Sequence, residues 1–250
     1  MDILGIDIGG TGMKGALVNA ETGEMITERF RIPTPKSRKP KAMAKVFKEI
    51  VEHFNHSGPI GIGFPTIIKN GVCKSKGNLH ESWLGVNASK LFSEAVGLPV
   101  TVLNDADAAG YGVMNYGIGK GKKGLVMTIT IGTGLGSGAF FNGELLPNFE
   151  LGSIPNKKYG IIEAYASNSA KKRDGISYKV WGKRFNKFLE LVEFLTCPDL
   201  FILGGGSSKD FDKFKEQIKI KTPVLPAKLG NHAGIIGAAA AALHKDAKDK

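Results

Sequence analysis

Short apolar runs, broken by glycine turns and by stretches of helical periodicity, organise this chain. Residues 2–8 (Asp-Ile-Leu-Gly-Ile-Asp-Ile) predict a buried strand, Gly9-Gly10-Thr11-Gly12 a turn, and residues 13–18 a returning strand. After a second turn at Glu21 to Glu24, residues 25–32 predict a third strand. Met43, Val46, Phe47, Ile50, Val51 and Phe54 recur at helical spacing, so an amphipathic helix is expected over residues 42–54. A short strand over residues 60–64 ends at Pro65, a helix over residues 88–96 closes at Gly97, and a strand over residues 100–103 leads into a helix over residues 106–114. The plan then repeats. Residues 124–131 predict a strand, residues 132–138 a glycine turn, and residues 139–141 a returning strand, with Asn142-Gly143 as a hairpin signal. Residues 152–175 are polar and unpatterned, an excursion or lid. A helix over residues 178–195, a strand over 199–203 running into Gly204-Gly205-Gly206, an alanine-rich helix over 233–243 and a charged tail over 245–250 complete the chain.

Two halves, each with a strand, a glycine turn and a strand, suggest two α/β lobes around a cleft. The 250 residues are ample for such a core, and 42% hydrophobic with 23% charged residues excludes a disordered or low-complexity chain. The longest apolar run, residues 233–243, is shorter than the roughly 20 residues a membrane span needs. No basic-then-apolar leader opens the chain, and two cysteines build neither a disulfide framework nor a four-cysteine zinc site. Cys73 and Cys197 read as small apolar residues. A cytoplasmic protein without zinc or membrane partner is expected. The net charge of +11 favours anionic partners, with basic clusters at residues 36–41, 120–123, 157–158 and 171–173. No nucleic-acid-binding motif accompanies them.

Gly10-Thr-Gly12-Met-Lys-Gly15 matches G-x-G-x-x-G, but a dinucleotide fingerprint must open a helix and these glycines precede a strand. No G-K-[ST] triplet is present. Two glycine hairpins instead offer backbone N–H groups to phosphate oxygens. Thr11, Thr133 and Ser137 add hydroxyls, Lys14 a charge, and Asp7 a carboxylate suited to hydrated Mg²⁺. Asp105, at a strand end, has two readings: a base toward a substrate hydroxyl, or the N-cap of the next helix. Asp107 competes for both. Glu150 and Asn78 are loop residues able to bond sugar hydroxyls.

Leu4-Gly-Ile-Asp-Ile-Gly-Gly-Thr-Gly-Met-Lys14, Asn104-Asp-Ala-Asp-Ala-Ala-Gly110 and Ile131-Gly-Thr-Gly-Leu-Gly-Ser137 resemble the first phosphate loop, catalytic segment and second phosphate loop of the ROK sugar kinases, in the actin/hexokinase/Hsp70 superfamily. Gly61 to Pro65, Ser82 to Gly85, Val192 to Leu195 with Pro198 to Gly206, and Asn231 to Ala238 are similar to the polyphosphate glucokinase branch. The resemblance implies two ribonuclease-H-like lobes with an interlobe cleft, one from residues 1–106 plus 236–250 and the other from 107–235. It implies a Mg²⁺-dependent hexose kinase using polyphosphate or ATP, acting on a small-molecule sugar as a homodimer, with no nucleic-acid or membrane partner. Asp105 would then be the base. Asn78, Asn104, Glu150 and Glu163 would hold the sugar. Gly9, Gly10, Thr11, Gly12, Lys14, Thr133 and Gly134 would surround the donor phosphates, with Asp7 at the metal and Gly204, Gly205 and Gly206 at the nucleotide. One departure stands out: the family pattern Glu-(apolar)-Gly-His reads Glu150-Leu-Gly-Ser153 here. The alternative function is a catalytically weakened sugar- or phosphate-binding regulatory member.

Overall fold

The computed structural model describes residues 1–248, with the side chains of residues 245–248 left aside; the end of the tail expected over 245–250 lies outside the described residues. The contacts gather into two compact units, Met1–Tyr116 with His232–Lys250, and Gly117–Asn231. The first begins with the hairpin β1 (Asp2–Ile8) and β2 (Met13–Asn19), followed by β3 (Phe30–Ile32), α1 (Pro40–His53), β4 (Ile60–Phe64), a small ladder β5 (Ile68–Lys69) and β6 (Val72–Cys73), α2 (Ala88–Val96), β7 (Val100–Asn104) and α3 (Asp105–Tyr116). Its main sheet has the order β3-β2-β1-β4-β7, with β1 antiparallel to β2 and parallel to β4. Strand β4 is buried along its whole length, which is why it reads as an uninterrupted apolar run.

The second unit holds β8 (Leu125–Ile131), β9 (Leu135–Phe141), β10 (Glu144–Leu146), a small ladder β11 (Pro155–Asn156) and β12 (Gly160–Ile161), α4 (Glu163–Ala166), α5 (Asn168–Arg173), α6 (Tyr178–Thr196), β13 (Leu200–Gly204) and β14 (Val224–Pro226). Its sheet order is β10-β9-β8-β13-β14, an antiparallel meander extended by parallel strands. Each unit thus repeats one plan, as the paired glycine turns suggested. Each also has its own aromatic core: Phe47, Phe64, Trp83 and Phe92 in the first, Trp181, Phe185, Phe188 and Phe214 in the second.

The chain returns to the first unit as α7 (Ala233–Lys248). It lies against β1 and β4 at very short range. A Cβ on Gly5 would strike the Ile235 carbonyl, one on Gly61 the Ala238 carbonyl, and one on Gly237 the Ala108 carbonyl of α3. Such approach admits only small side chains, which accounts for the buried run Ala238 to Ala242. Helix α3 packs along α7 and so belongs wholly to the first unit, and the division falls after Tyr116.

Four expectations are corrected. Residues 25–32 form strand only at β3, with Met25 making a lone bridge to Val18. Strand β9 begins at Leu135, so the second glycine turn is confined to Gly132 to Gly134, because Leu135 and Ile131 still pair across it. Residues 152–175 carry a ladder and two helices, anchored by buried Ile162, Ala166 and Ala170. Cys197 is exposed and takes φ 46° at the end of α6, while Cys73 is buried. No helix among the described residues is long and apolar enough to cross a membrane.

Candidate functional site

In the first unit the β1–β2 turn is closed by the Gly9 N–H donating to the Gly12 carbonyl, 3.0 Å. Nothing would obstruct a Cβ on Gly10, so this turn presents open backbone, with Thr11 exposed at its tip. Two residues distant in sequence brace it. The Thr34 hydroxyl donates to the Gly9 carbonyl at 2.6 Å, and the Arg31 guanidinium donates to the Thr11 carbonyl at 2.9 Å. Arg31 lies directly against Gly12, where an added Cβ would sit 2.5 Å from its Nε. Neither residue was foreseen; only the pairing of β2 with β3 brings them to the turn.

Asp7 and Lys14 face each other across the β1–β2 ladder, and the Lys14 ammonium donates to the Asp7 carboxylate at 3.1 Å. Both side chains keep about a quarter of their surface exposed, 23% and 26%. Asp7 sits near the C-terminal end of β1, beside the start of α7: a Cβ on Gly234 would lie 3.6 Å from the Asp7 Cγ. A Cβ on Gly63, at the end of β4, would lie 3.6 Å from the Asp105 Cα. Both residues therefore lie where the parallel strands β1, β4 and β7 end, the usual ligand edge of an α/β sheet. The loop carrying Asn78 joins them, since Gly77 packs against the Pro65 carbonyl just past β4. The Asn78 side chain is exposed, and its carbonyl accepts from Arg38 at 2.9 Å.

The two readings of Asp105 separate here. Asn104 is buried, and its Oδ1 accepts from the N–H groups of Ala106 (2.9 Å) and Asp107 (3.2 Å), while its Nδ2 donates to the Thr66 carbonyl. Asn104 is thus the principal cap of α3. The Asp105 Oδ1 also accepts from the Ala106 N–H, at 2.9 Å, and its side chain is exposed. Asp107, at 1% exposure, has no access to a substrate.

In the second unit the Gly132 N–H donates to the Gly134 carbonyl, leaving Thr133 exposed at the tip. The next N–H, of Leu135, donates to the Glu163 carboxylate at 2.8 Å, and an added Cβ on Gly134 would collide with that carboxylate. Glu163 thus lies on the second glycine turn. Glu150 is close enough to feel it: desolvation by the surrounding protein, and then the Glu163 charge, hold the Glu150 carboxyl above its ordinary value although it remains exposed. Ser137 does not offer its hydroxyl to a phosphate. It is buried, donates to the Phe149 carbonyl and accepts from the Leu151 N–H at 3.0 Å, which fixes the loop bearing Glu150. Gly205, with φ 76°, packs against the Ile131 backbone, where any side chain would clash, and the Ser207 N–H donates to the Ile131 carbonyl. Gly205 and Gly206 line an open cavity of about 430 Å³ with Ser208, Lys209, Lys228 and Asn231. Gly204 to Gly206 and the second glycine turn are therefore neighbours within this unit.

Among the described residues no three His, Cys, Asp or Glu side chains gather into a metal-holding group. A Mg²⁺ ion in a phosphoryl-transfer site needs less, since one or two carboxylates, waters and substrate phosphates complete its shell. The hard, partly exposed oxygens of Asp7 beside an open glycine turn fit that donor set.

Residues 3–147 match the ROK family model. The polyphosphate glucokinase of Mycobacterium tuberculosis is 42% identical over 242 residues, spanning 96% of this chain and 90% of that protein. The crystal structure of inorganic polyphosphate/ATP-glucomannokinase from Arthrobacter sp. strain KM superposes with a TM-score of 0.91 at 41% identity, covering 98% of this chain and 99% of that one. A ROK family glucokinase from Streptomyces griseus, solved with glucose and AMPPNP, shares the fold with a TM-score of 0.83 at 24% identity, covering 98% and 100%. With the duplicated sheets and paired glycine turns, these likenesses place the chain in the ROK family.

Proposed function

We propose that this protein is a hexose kinase, transferring a phosphoryl group from polyphosphate or ATP to the 6-hydroxyl of glucose or a related hexose. The relatives named above support this reading, since they span nearly the whole chain. The observation that carries it is the exposed Asp105 side chain at the same strand-end edge as Asp7, with the capping of α3 taken largely by Asn104.

Asp105 accepts the proton of the attacking hydroxyl, which raises the nucleophilicity of that oxygen and is worth roughly 10²–10⁴-fold in rate. Asn78, Glu150 and Glu163 hold the sugar hydroxyls, and any contact from Asn104 is additional to its capping bonds. The backbone N–H groups of Gly9 to Gly12, with Lys14, Thr133 and Gly134, receive phosphate oxygens. Gly204 to Gly206 border the space for the rest of the donor. Asp7 would hold Mg²⁺, which when bound neutralises charge on the donor phosphates.

A panel of hexoses offered to the purified protein with ATP and with polyphosphate, with Mg²⁺ or with excess EDTA, tests this. Sugar phosphate is expected from at least one donor, only with the metal. Binding of a phosphate ligand with no turnover of any hexose would favour the weakened regulatory alternative instead.

A further inference from the structure

Helix α4 is only four residues long: the Glu163 carbonyl accepts from the Ser167 N–H, and the last three carbonyls are left to partners from outside the helix. Three side chains do this. The Arg173 Nη2 donates to the Ala164 carbonyl at 3.0 Å, the Arg184 Nη1 reaches the Tyr165 carbonyl at 3.5 Å, and the Trp181 indole N–H donates to the Ala166 carbonyl at 2.9 Å. Both guanidiniums are held by one carboxylate. Asp174 accepts Nε of Arg173 at 2.8 Å and Nη2 at 3.2 Å, and Arg184 bonds its second oxygen. The Arg184 guanidinium also lies 5.0 Å from the centre of the Tyr165 ring. Arg184 and Asp174 are shielded, at 16% and 22% side-chain exposure. The opposite end of α4 is Glu163, whose carboxylate rests on the second glycine turn and acts on Glu150.

We infer that Arg184, with its partner Asp174, is a positioning residue for hexose phosphorylation: it fixes α4 so that Glu163 meets the acceptor sugar. The physical need is plain. A single helical turn has little cooperativity of its own and moves as a unit unless its end is tied. A displacement of about 1 Å in a substrate-holding group can cost as much as a hundredfold. The inference rests on the reading of Glu163 as a sugar contact.

Arg184→Met keeps the apolar stem and removes the donors, Arg184→Lys keeps the charge, and Glu163→Gln removes the charge that Arg184 positions. Arg184→Met is expected to raise the KM for hexose about tenfold, leave the KM for the phosphoryl donor within about twofold, and be partly rescued in Arg184→Lys. In a Glu163→Gln background, Arg184→Met should add little further, because the two act in series. A full tenfold effect persisting in that background, or equal changes in both KM values, would mean a general structural role and would overturn the inference. If Arg184→Met does not fold, Arg173→Gln, at a half-exposed position, is read in the same cycle with the same criteria. If Glu163→Gln itself leaves hexose KM unchanged, the sugar-contact reading fails and the inference with it. If Glu163→Gln raises hexose KM while Arg184→Met does not, the inference alone fails.

Discussion

The functional contrast between Asn104 and Asp105 is one of adjacent side chains with opposite exposures, the first buried in bonds to the start of α3 and the second facing solvent. Asp105→Asn is therefore expected to leave hexose binding intact and lower turnover by at least about a hundredfold. Near-normal kinetics would return Asp105 to a capping role. Glu150 offers a pH handle. Its carboxyl is held above its ordinary value first by desolvation and then by Glu163. A protonated Glu150 accepts fewer bonds from sugar hydroxyls, so hexose affinity should fall on the acid side at a higher pH than an ordinary glutamate would give. Glu163→Gln removes the negative neighbour and should move that limb to lower pH, as calorimetric titrations across pH would show; a limb that stays put contradicts the assignment. For folding the sign is opposite to the usual carboxylate: the contribution is present at acid pH and lost as pH rises through the raised value. Ser153 is exposed, and its backbone N–H donates to the Glu150 carbonyl at 3.0 Å, in the turn that follows the loop proposed to hold the sugar. It is too short to replace a histidine ring nitrogen, a loss of about 0.5–1.5 kcal/mol per hydrogen bond. Ser153→His should lower the KM for glucose, and an unchanged or raised KM would show that the missing histidine does not limit glucose binding.

At the scale of elements, α7 decides much of the stability of the first unit, because it lies on the sheet at backbone range. Gly61→Ala would drive a methyl group into the Ala238 carbonyl, an atom that cannot swing aside. Overpacking of this kind costs about 1–3 kcal/mol. Denaturant titration should show a lower midpoint for Gly61→Ala, whereas Gly143→Ala, at a hairpin tip with open space, carries only its own φ strain at 90°. A midpoint for Gly61→Ala equal to the parent would show that α7 shifts at no cost. The elements themselves were largely legible. Strand β4 and helix α2 begin and end where the apolar period and Gly97 place them. The failures have local causes. Residues 25–29 have strand-like composition but meet β2 only through a lone bridge and isolated bonds rather than a continuous ladder, and α4 and α5 are too short for periodicity to register while their anchors, Trp181 and Arg184, come from another helix.

For the whole molecule, the net charge of +11 matters chiefly to a long anionic donor. Polyphosphate meets many Lys and Arg side chains at once, and attractions beyond a Debye length of about 10 Å at 0.1 M are screened. Activity with polyphosphate should therefore fall more steeply with added salt than activity with ATP, measured at matched Mg²⁺. Parallel salt profiles for the two donors would confine the charge to solubility.

The sequence by itself determined the duplicated α/β plan, both glycine turns and the carboxylates Asp7, Asp105 and Glu150. Each depends on local signals: apolar runs that must be buried, glycines where backbone must lie open, acids at strand ends or in a polar loop. Tertiary structure alone decided how those groups are held. Arg31 and Thr34 reach the first turn only because β3 pairs with β2; Ser137 bonds Phe149 and Leu151 and so holds the Glu150 loop rather than the second glycine turn; Glu163 rests on Gly134 because α6 supplies donors to α4. These bonds join residues far apart along the chain, and no local pattern specifies them, because the cost of leaving a buried polar group unpaired is settled only when the packed partner arrives.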